Sequence, residues 1–124
     1  MSMISAALAL ALTQLSAGAQ GASDTSLPDL TLEQASALRC SVAFGLVHKA
    51  QVSGERVSED YPLMAERGRE FFVQTTARLM DDLGADRETI MGLVERESVD
   101  LIQSPQRLDA VMPACLLMLD ASGI

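Results

Sequence analysis

The chain has 124 residues, of which 17 are acidic and 9 are basic, so its formal net charge at pH 7 is −8. An acidic surface without a basic stripe repels phosphate groups, which argues against nucleic-acid binding and against docking on anionic lipid headgroups. The length suits one domain with a single hydrophobic core.

The first 19 residues have the pattern of a secretory signal peptide. Residues 3–12 read MISAALALAL, and Ala17 and Ala19 form a small-x-small site after which we predict cleavage. Two alternatives remain, because Met1 and Ser2 supply no basic residue. They are a retained membrane anchor, which needs about 20 apolar residues, and a cytosolic amphipathic tail. We expect a cleaved signal and no stable membrane span after processing.

The rest of the chain is predicted to form one helical domain. Residues 20–30 are polar, and we predict a flexible lead-in there. The domain itself is predicted to span residues 31–124. Its first helix begins with a capping box of Thr31 and Gln34 and runs to about residue 53, where Gly54 ends it.

Three further helices are indicated by their end signals. The second is predicted to begin at about Ser58, with Pro62 in its first turn, where a helix tolerates proline, and to end before Gly84. Asp86 can cap the third. Pro105 suits the first position of the fourth helix, which Gly123 closes.

Apolar residues repeat at helical spacing in these segments, and no segment alternates with the period of a strand. Gly68 lies in the middle of one apolar face and predicts a close approach between helices. That face of the second helix is predicted to carry Tyr61, Ala65, Gly68, Phe72, Thr75, Leu79 and Leu83. The predicted fold is an all-α, compact antiparallel bundle of about four amphipathic helices.

The two cysteines, Cys40 and Cys115, are 75 positions apart, which excludes a Cys-x-x-Cys redox motif and a zinc ribbon. Both fall on apolar faces, of the first and the fourth helix. In an oxidising compartment we expect them to form a structural disulfide. The alternative is a pair of unpaired buried thiols that pack as small apolar groups.

Two charged residues fall within apolar faces. Arg39 lies on that of the first helix and Glu97 on that of the third. An unpaired interior charge costs several kcal/mol, so we predict that the two form a buried or half-buried ion pair. The alternatives are that either side chain extends to solvent, or that Arg39 grips an anionic ligand in a pocket.

Motifs for catalysis and for cofactors are missing from the sequence. His48 is the only histidine and falls on the predicted polar side of the first helix, near Ser41. No zinc, di-iron or haem motif includes it, and no nucleophile elbow is present. We therefore predict no metal, no cofactor and no enzymatic activity. The pair Asp81 and Asp82 is a faint candidate for a metal or partner site, against the simpler reading of a solvated surface.

The sequence favours a small exported protein, periplasmic or secreted, that binds a protein or a small apolar ligand in the cell envelope. The absence of Asn and the excess of Arg over Lys favour a bacterial source. In size, helicity, cysteine count and export signal the chain is similar to periplasmic acid-stress chaperones, a resemblance that includes no shared motif. An acid-activated chaperone is therefore the alternative. An enzyme is a third reading, and it requires a concave site that contains His48, Tyr61 or the Arg39–Glu97 pair.

Overall fold

The computed structural model describes residues 27–55 and 60–124, and within these ranges it contains four helices and no strand. The helices are α1 (Leu32–Ser53), α2 (Arg67–Leu83), α3 (Arg87–Leu101) and α4 (Pro105–Ala121). They pack together around one core, so the predicted all-α bundle of four helices is confirmed. The predicted signal peptide lies outside the described residues.

Most helix ends follow the local signals in the sequence. The hydroxyl of Thr31 accepts a hydrogen bond from the Gln34 amide, and the Gln34 side chain accepts one from the Thr31 amide, so the capping box is formed. Gly54 and Gly84 end α1 and α2 with φ values of 71° and 58°, a backbone conformation that glycine adopts without steric cost. The carboxylate of Asp86 caps α3.

The predicted start of α2 is wrong. The helix begins at Arg67, and residues 60–66, the connecting segment, are largely irregular before it. The side chain of Gln51 in α1 takes over the hydrogen bonds of this segment. Its Nε2 donates to the carbonyl of Pro62 at 2.8 Å, and its Oε1 accepts from the amide of Met64 at 3.0 Å. A tertiary contact therefore replaces the helical turn that Pro62 had indicated.

α1 is the central helix, because α2, α3 and α4 all pack against it. It is not amphipathic as predicted: its buried residues lie on every side of the helix between Leu38 and Ala50. They are Leu38, Cys40, Ser41, Val42, Ala43, Phe44, Val47 and Ala50. Ser41, which was predicted on a polar side, is buried, and its hydroxyl donates to the carbonyl of Ala37 at 2.8 Å.

The contact between α1 and α2 is close at Gly68, as predicted. A Cβ atom at that position would lie 3.0 Å from the Cβ of Met64 and 3.2 Å from the Cβ of Phe44. Next to it, the rings of Phe44 and Phe71 meet edge to face, with centroids 5.3 Å apart. The predicted α2 face is therefore rotated, since Phe71 is buried in the core and Phe72 is only partly buried.

The domain includes part of the predicted lead-in. Leu27 and Leu30 are partly buried and pack against the core. The Leu27 side chain lies against Gly92 in α3, within 3.0 Å of where a Cβ of that glycine would be. Residues 27–30 therefore belong to the folded domain rather than to a flexible lead-in, and residues 20–26 lie outside the described ranges.

Among the residues that the structure describes, no helix is both long enough and apolar enough to span a membrane.

Candidate functional site

Cys40 in α1 and Cys115 in α4 form a disulfide, as predicted, with their Cα atoms 5.1 Å apart. Both residues are buried in the core. The bond joins the central helix to the last helix near the middle of each. Buried sulfur atoms in a structural position have no access to a substrate thiol, so the disulfide is part of the architecture rather than of a redox site.

The structure brings Arg39 and Glu97 together, with the Arg39 Nε 2.5 Å from the Glu97 Oε1. The pair is half-buried, since the Arg39 side chain is 45% exposed and that of Glu97 is 15% exposed. Arg39 lies at the edge where α1 meets α3, between the buried Leu38 and Cys40. There the guanidinium remains in water, which avoids the cost of desolvating it.

Two further residues extend the pair into a network across three helices. Arg39 Nη2 lies 3.2 Å from Asp100 in α3, and Arg107 in α4 contacts the other oxygen of Asp100. With its guanidinium engaged by two carboxylates, Arg39 is not placed to grip an anion, and it lines none of the main surface depressions. Exposed pairs each contribute only about 0–1 kcal/mol.

Tyr61 fixes the connecting segment to α4. Its hydroxyl donates a hydrogen bond to Asp109. Burial, followed by the hydrogen bond and the negative charge of Asp109, raises the pKa of Tyr61 to about 12. The segment is thus held by Gln51 on α1 and by Asp109 on α4. The role of the Tyr61 hydroxyl in this contact is structural, since it fixes the segment to α4.

An open depression of about 230 Å³ lies between α1 and the start of α2, and we call it the α1–α2 groove. It is lined by Phe44, Gly45, His48, Met64, Gly68, Arg69 and Phe72. Its lining includes the side chains of Phe44 and Met64, which are 0% and 1% exposed. The groove therefore has an apolar floor that belongs to the core of the protein.

Two glycines shape this groove. The absence of a side chain at Gly68 lets α2 approach α1, as described above. At Gly45 a Cβ would meet no atom within 4 Å, so the missing side chain leaves open space. Glycine in a helix interior is about 1 kcal/mol less favourable than alanine. Gly45 thus lowers the stability of α1 relative to alanine, at a position that lines the groove.

The charges around the groove differ from those elsewhere on this acidic protein. His48 and Arg69 are its only ionisable residues. Each of four other depressions is lined by at least one carboxylate, from Glu33, Glu55, Asp82, Asp86, Glu88 or Glu95. Arg69 forms no ion pair with any described residue. The α1–α2 groove is therefore locally cationic.

The groove suits binding better than catalysis. His48 is partly buried at its rim, not on a fully solvated polar face as predicted. No carboxylate or nucleophile lines the groove beside it, so an acid–base pair is missing there. In the described ranges no group of three metal-ligating side chains is placed to hold an ion, and Asp81 and Asp82 are exposed at the end of α2.

The fold and the site together define an all-α bundle with one internal disulfide and an open apolar groove. No family model, no curated protein and no solved structure matches this chain.

Sequence reasoning missed two residues of the groove, Gly45 and Arg69. A glycine in the middle of a strong helix was an available signal, because its cost needs a reason. Arg69 gave no signal of its own, since an exposed arginine near a helix start resembles any solvated charge.

Proposed function

We propose that this protein is a small exported, non-enzymatic module of the bacterial cell envelope that binds an apolar group in the α1–α2 groove. The observation that carries this proposal is the open space beside Gly45 above an apolar floor. Ligand sites are typically concave and mostly apolar, with a few polar groups at fixed positions. The groove has these properties, with His48 and Arg69 as the polar groups.

The size of the groove limits its occupant. Its volume of about 230 Å³ is below the range of about 300–1,000 Å³ typical of pockets for drug-sized ligands. A single apolar side chain of a partner protein, or a short alkyl chain, is the largest group it can enclose.

Export is supported by two independent observations. The signal pattern of residues 1–19 predicts cleavage after Ala19. The Cys40–Cys115 disulfide is stable in oxidising compartments such as the periplasm. We expect the exported protein to begin at Gln20, which mass spectrometry of the envelope fraction measures directly. An exported protein that retains Met1 would contradict this part of the proposal.

A neutral probe tests binding in the groove. We expect amide NMR signals of Gly45, His48 and Gly68 to shift saturably when 1-octanol is added to the purified protein. Gly45→Leu should abolish these shifts, since it adds a bulky side chain to a position that lines the groove and where a Cβ meets no atom within 4 Å. Ala114→Leu, which adds the same side chain to an exposed site on α4, is the matched control and should bind normally. Shifts that Gly45→Leu leaves unchanged would place binding elsewhere.

The second candidate, an acid-activated chaperone, is favoured by how the helices are joined at the surface. The ion pairs centred on Arg39, Arg67 and Arg107 all use a carboxylate of another helix, as does the Tyr61–Asp109 hydrogen bond. Below about pH 4 most carboxylates become protonated. The ion pairs would then lose their charge attraction, while the disulfide continued to join α1 to α4.

An aggregation assay tests the acid-activated chaperone. The oxidised protein should suppress aggregation of an acid-labile client enzyme at about pH 3 and should have no effect at neutral pH. The client alone, and the client with an unrelated acidic protein, serve as controls. No suppression at the acidic pH would remove the chaperone reading.

A further inference from the structure

We propose that the α1–α2 groove takes an alkyl carboxylate, that is, a ligand with one anionic head and a short apolar tail. This inference rests on the proposed function, because it names the ligand class of the same groove.

The charge of the groove favours an anionic ligand. The protein carries a net charge of −8, so its overall field repels anions. A groove for an apolar or cationic ligand would have no need to differ from this background. The α1–α2 groove differs from it, since it contains Arg69 and His48 and no carboxylate, whereas the four other depressions each contain one or more.

The start of α2 lies at the same groove. Arg69 is the third residue of this helix, where the helix dipole is positive. Its backbone amide already donates to the carbonyl of Met64 at 3.3 Å, so the side chain of Arg69 is the group that can meet a ligand. No side chain caps this end: Glu66 precedes the helix without forming a capping hydrogen bond. The positive end of the helix dipole and the Arg69 guanidinium, which forms no ion pair with a described residue, therefore lie at the same rim, and both favour an anion.

The groove also limits the shape of the ligand. The Arg69 guanidinium can donate two parallel hydrogen bonds to one carboxylate. His48, across the groove on α1, offers a further donor. The tail of the ligand would then lie on the apolar floor formed by Phe44 and Met64, where about 230 Å³ admits a short chain.

Probes with the same tail and different heads test this inference. We expect octanoate, at concentrations below micelle formation, to bind roughly tenfold more tightly than 1-octanol, a difference typical of one charge-assisted contact. Octylammonium should bind most weakly. Acetate, which has the head without the tail, should not bind. Affinities come from the NMR shifts of the Gly45, His48 and Gly68 amides.

Two variants of equal charge change locate the effect. Arg69→Gln should lower octanoate affinity by roughly tenfold and should lower 1-octanol affinity much less, because the alcohol carries no charge. Arg96→Gln, at an exposed site on α3 without an ion pair among the described residues, should change neither affinity. Circular dichroism and urea unfolding confirm that both variants are folded.

The outcomes separate this inference from the proposed function. Equal affinities for octanoate and 1-octanol would overturn the carboxylate ligand and leave apolar binding in place. The same loss of octanoate affinity in Arg69→Gln and Arg96→Gln would also overturn it, because net charge would explain the effect. No binding of any probe would contradict both the inference and the proposed function.

Discussion

The amide side chain of Gln51 makes hydrogen bonds that backbone groups would make if α2 began earlier in the chain. It donates to the carbonyl of Pro62 and accepts from the amide of Met64. One side chain therefore satisfies a backbone acceptor and a backbone donor of the connecting segment. Met64 is thereby held in the core, where its side chain contributes to the floor of the groove. A residue on α1 thus positions a residue that precedes α2.

Replacing this amide should destabilise the protein measurably. We expect Gln51→Ala to lower the free energy of unfolding by about 1–3 kcal/mol, because it leaves backbone groups of the connecting segment without partners. Urea unfolding followed by circular dichroism measures the change. Gln103→Ala, at an exposed site after α3, should change stability by less than about 0.5 kcal/mol. Equal effects of the two substitutions would contradict this role of Gln51.

Tyr61 predicts an alkaline limit to stability. Its pKa is raised from 10.0 to about 12 in the folded protein, so folding favours the protonated phenol. This contribution is fully present below pH 10, the value for an unfolded tyrosine, and is lost as the pH rises toward 12. We expect the free energy of unfolding to fall across this interval. Because Tyr61 is the only tyrosine and the chain has no tryptophan, its ultraviolet absorbance reports the titration directly.

The variant Tyr61→Phe provides the control for that titration. It lacks the phenol, so it should be less stable than the parent protein near neutral pH and should lose the part of the alkaline dependence that belongs to Tyr61. An absorbance titration with a midpoint at 10.0, the ordinary value, would show that the Asp109 contact is not maintained in solution.

At the scale of the helices, two glycines that line the same groove have opposite roles. Gly68 in α2 permits close packing, since a Cβ there would press on the Cβ atoms of Met64 and Phe44. Gly45 in α1 faces open space instead. The same substitution at the two sites therefore separates the cost of packing from the cost of glycine in a helix.

We expect Gly45→Ala to raise the free energy of unfolding by about 0.5–1 kcal/mol, because alanine favours the helix and meets no neighbour. Gly68→Ala gains the same propensity but should be destabilising overall, since overpacking costs about 1–3 kcal/mol. Thermal and urea unfolding of the two variants measure both signs. A stabilised Gly68→Ala would show that α1 and α2 can separate at little cost.

Local sequence signals predicted most of the helix ends. The start of α2, which they did not predict, is determined by a tertiary contact. The capping box at Thr31 and the glycine at residue 84 act within one helical turn, so neighbouring residues were sufficient to place them. The start of α2 depended on Gln51, which is more than ten positions away along the chain. The central position of α1 was visible only as a lack of charged residues between Leu38 and Val47, other than Arg39.

The groove itself could not be predicted from the sequence. Its lining comes from two stretches, residues 44–48 and 64–72, which become neighbours only when α2 packs on α1. Gly68 was predicted to be a close contact and His48 to be a solvated residue, but neither pattern indicates an opening. The Cys40–Cys115 bond was predictable because only two cysteines exist and both fall on apolar faces.

At the scale of the whole molecule, the disulfide should be the largest single contribution to stability. It closes a loop across 75 positions, for which chain-entropy reasoning gives about 4–5 kcal/mol. We expect the double variant Cys40→Ala and Cys115→Ala to lose about this much free energy of unfolding. Urea unfolding of the variant and of the parent protein measures the difference.

Reduction of the parent protein is the matched comparison for that variant, because it opens the same loop without removing sulfur atoms from the core. Both should be destabilised by a similar amount. If the free energy of unfolding falls by less than about 1 kcal/mol in both the variant and the reduced protein, the disulfide contributes little and the core is stable without it.

The central position of α1 also has a consequence for how the chain matures. α1 precedes α2, α3 and α4 in the chain, and all three of these later helices pack against it. A growing or translocating polypeptide thus presents first the helix with the largest number of buried residues, and α4 must follow before Cys40 can meet Cys115. During that interval the helix is a target for holding factors and for aggregation. Successful oxidation of the cysteines then marks the moment at which the last helix has docked.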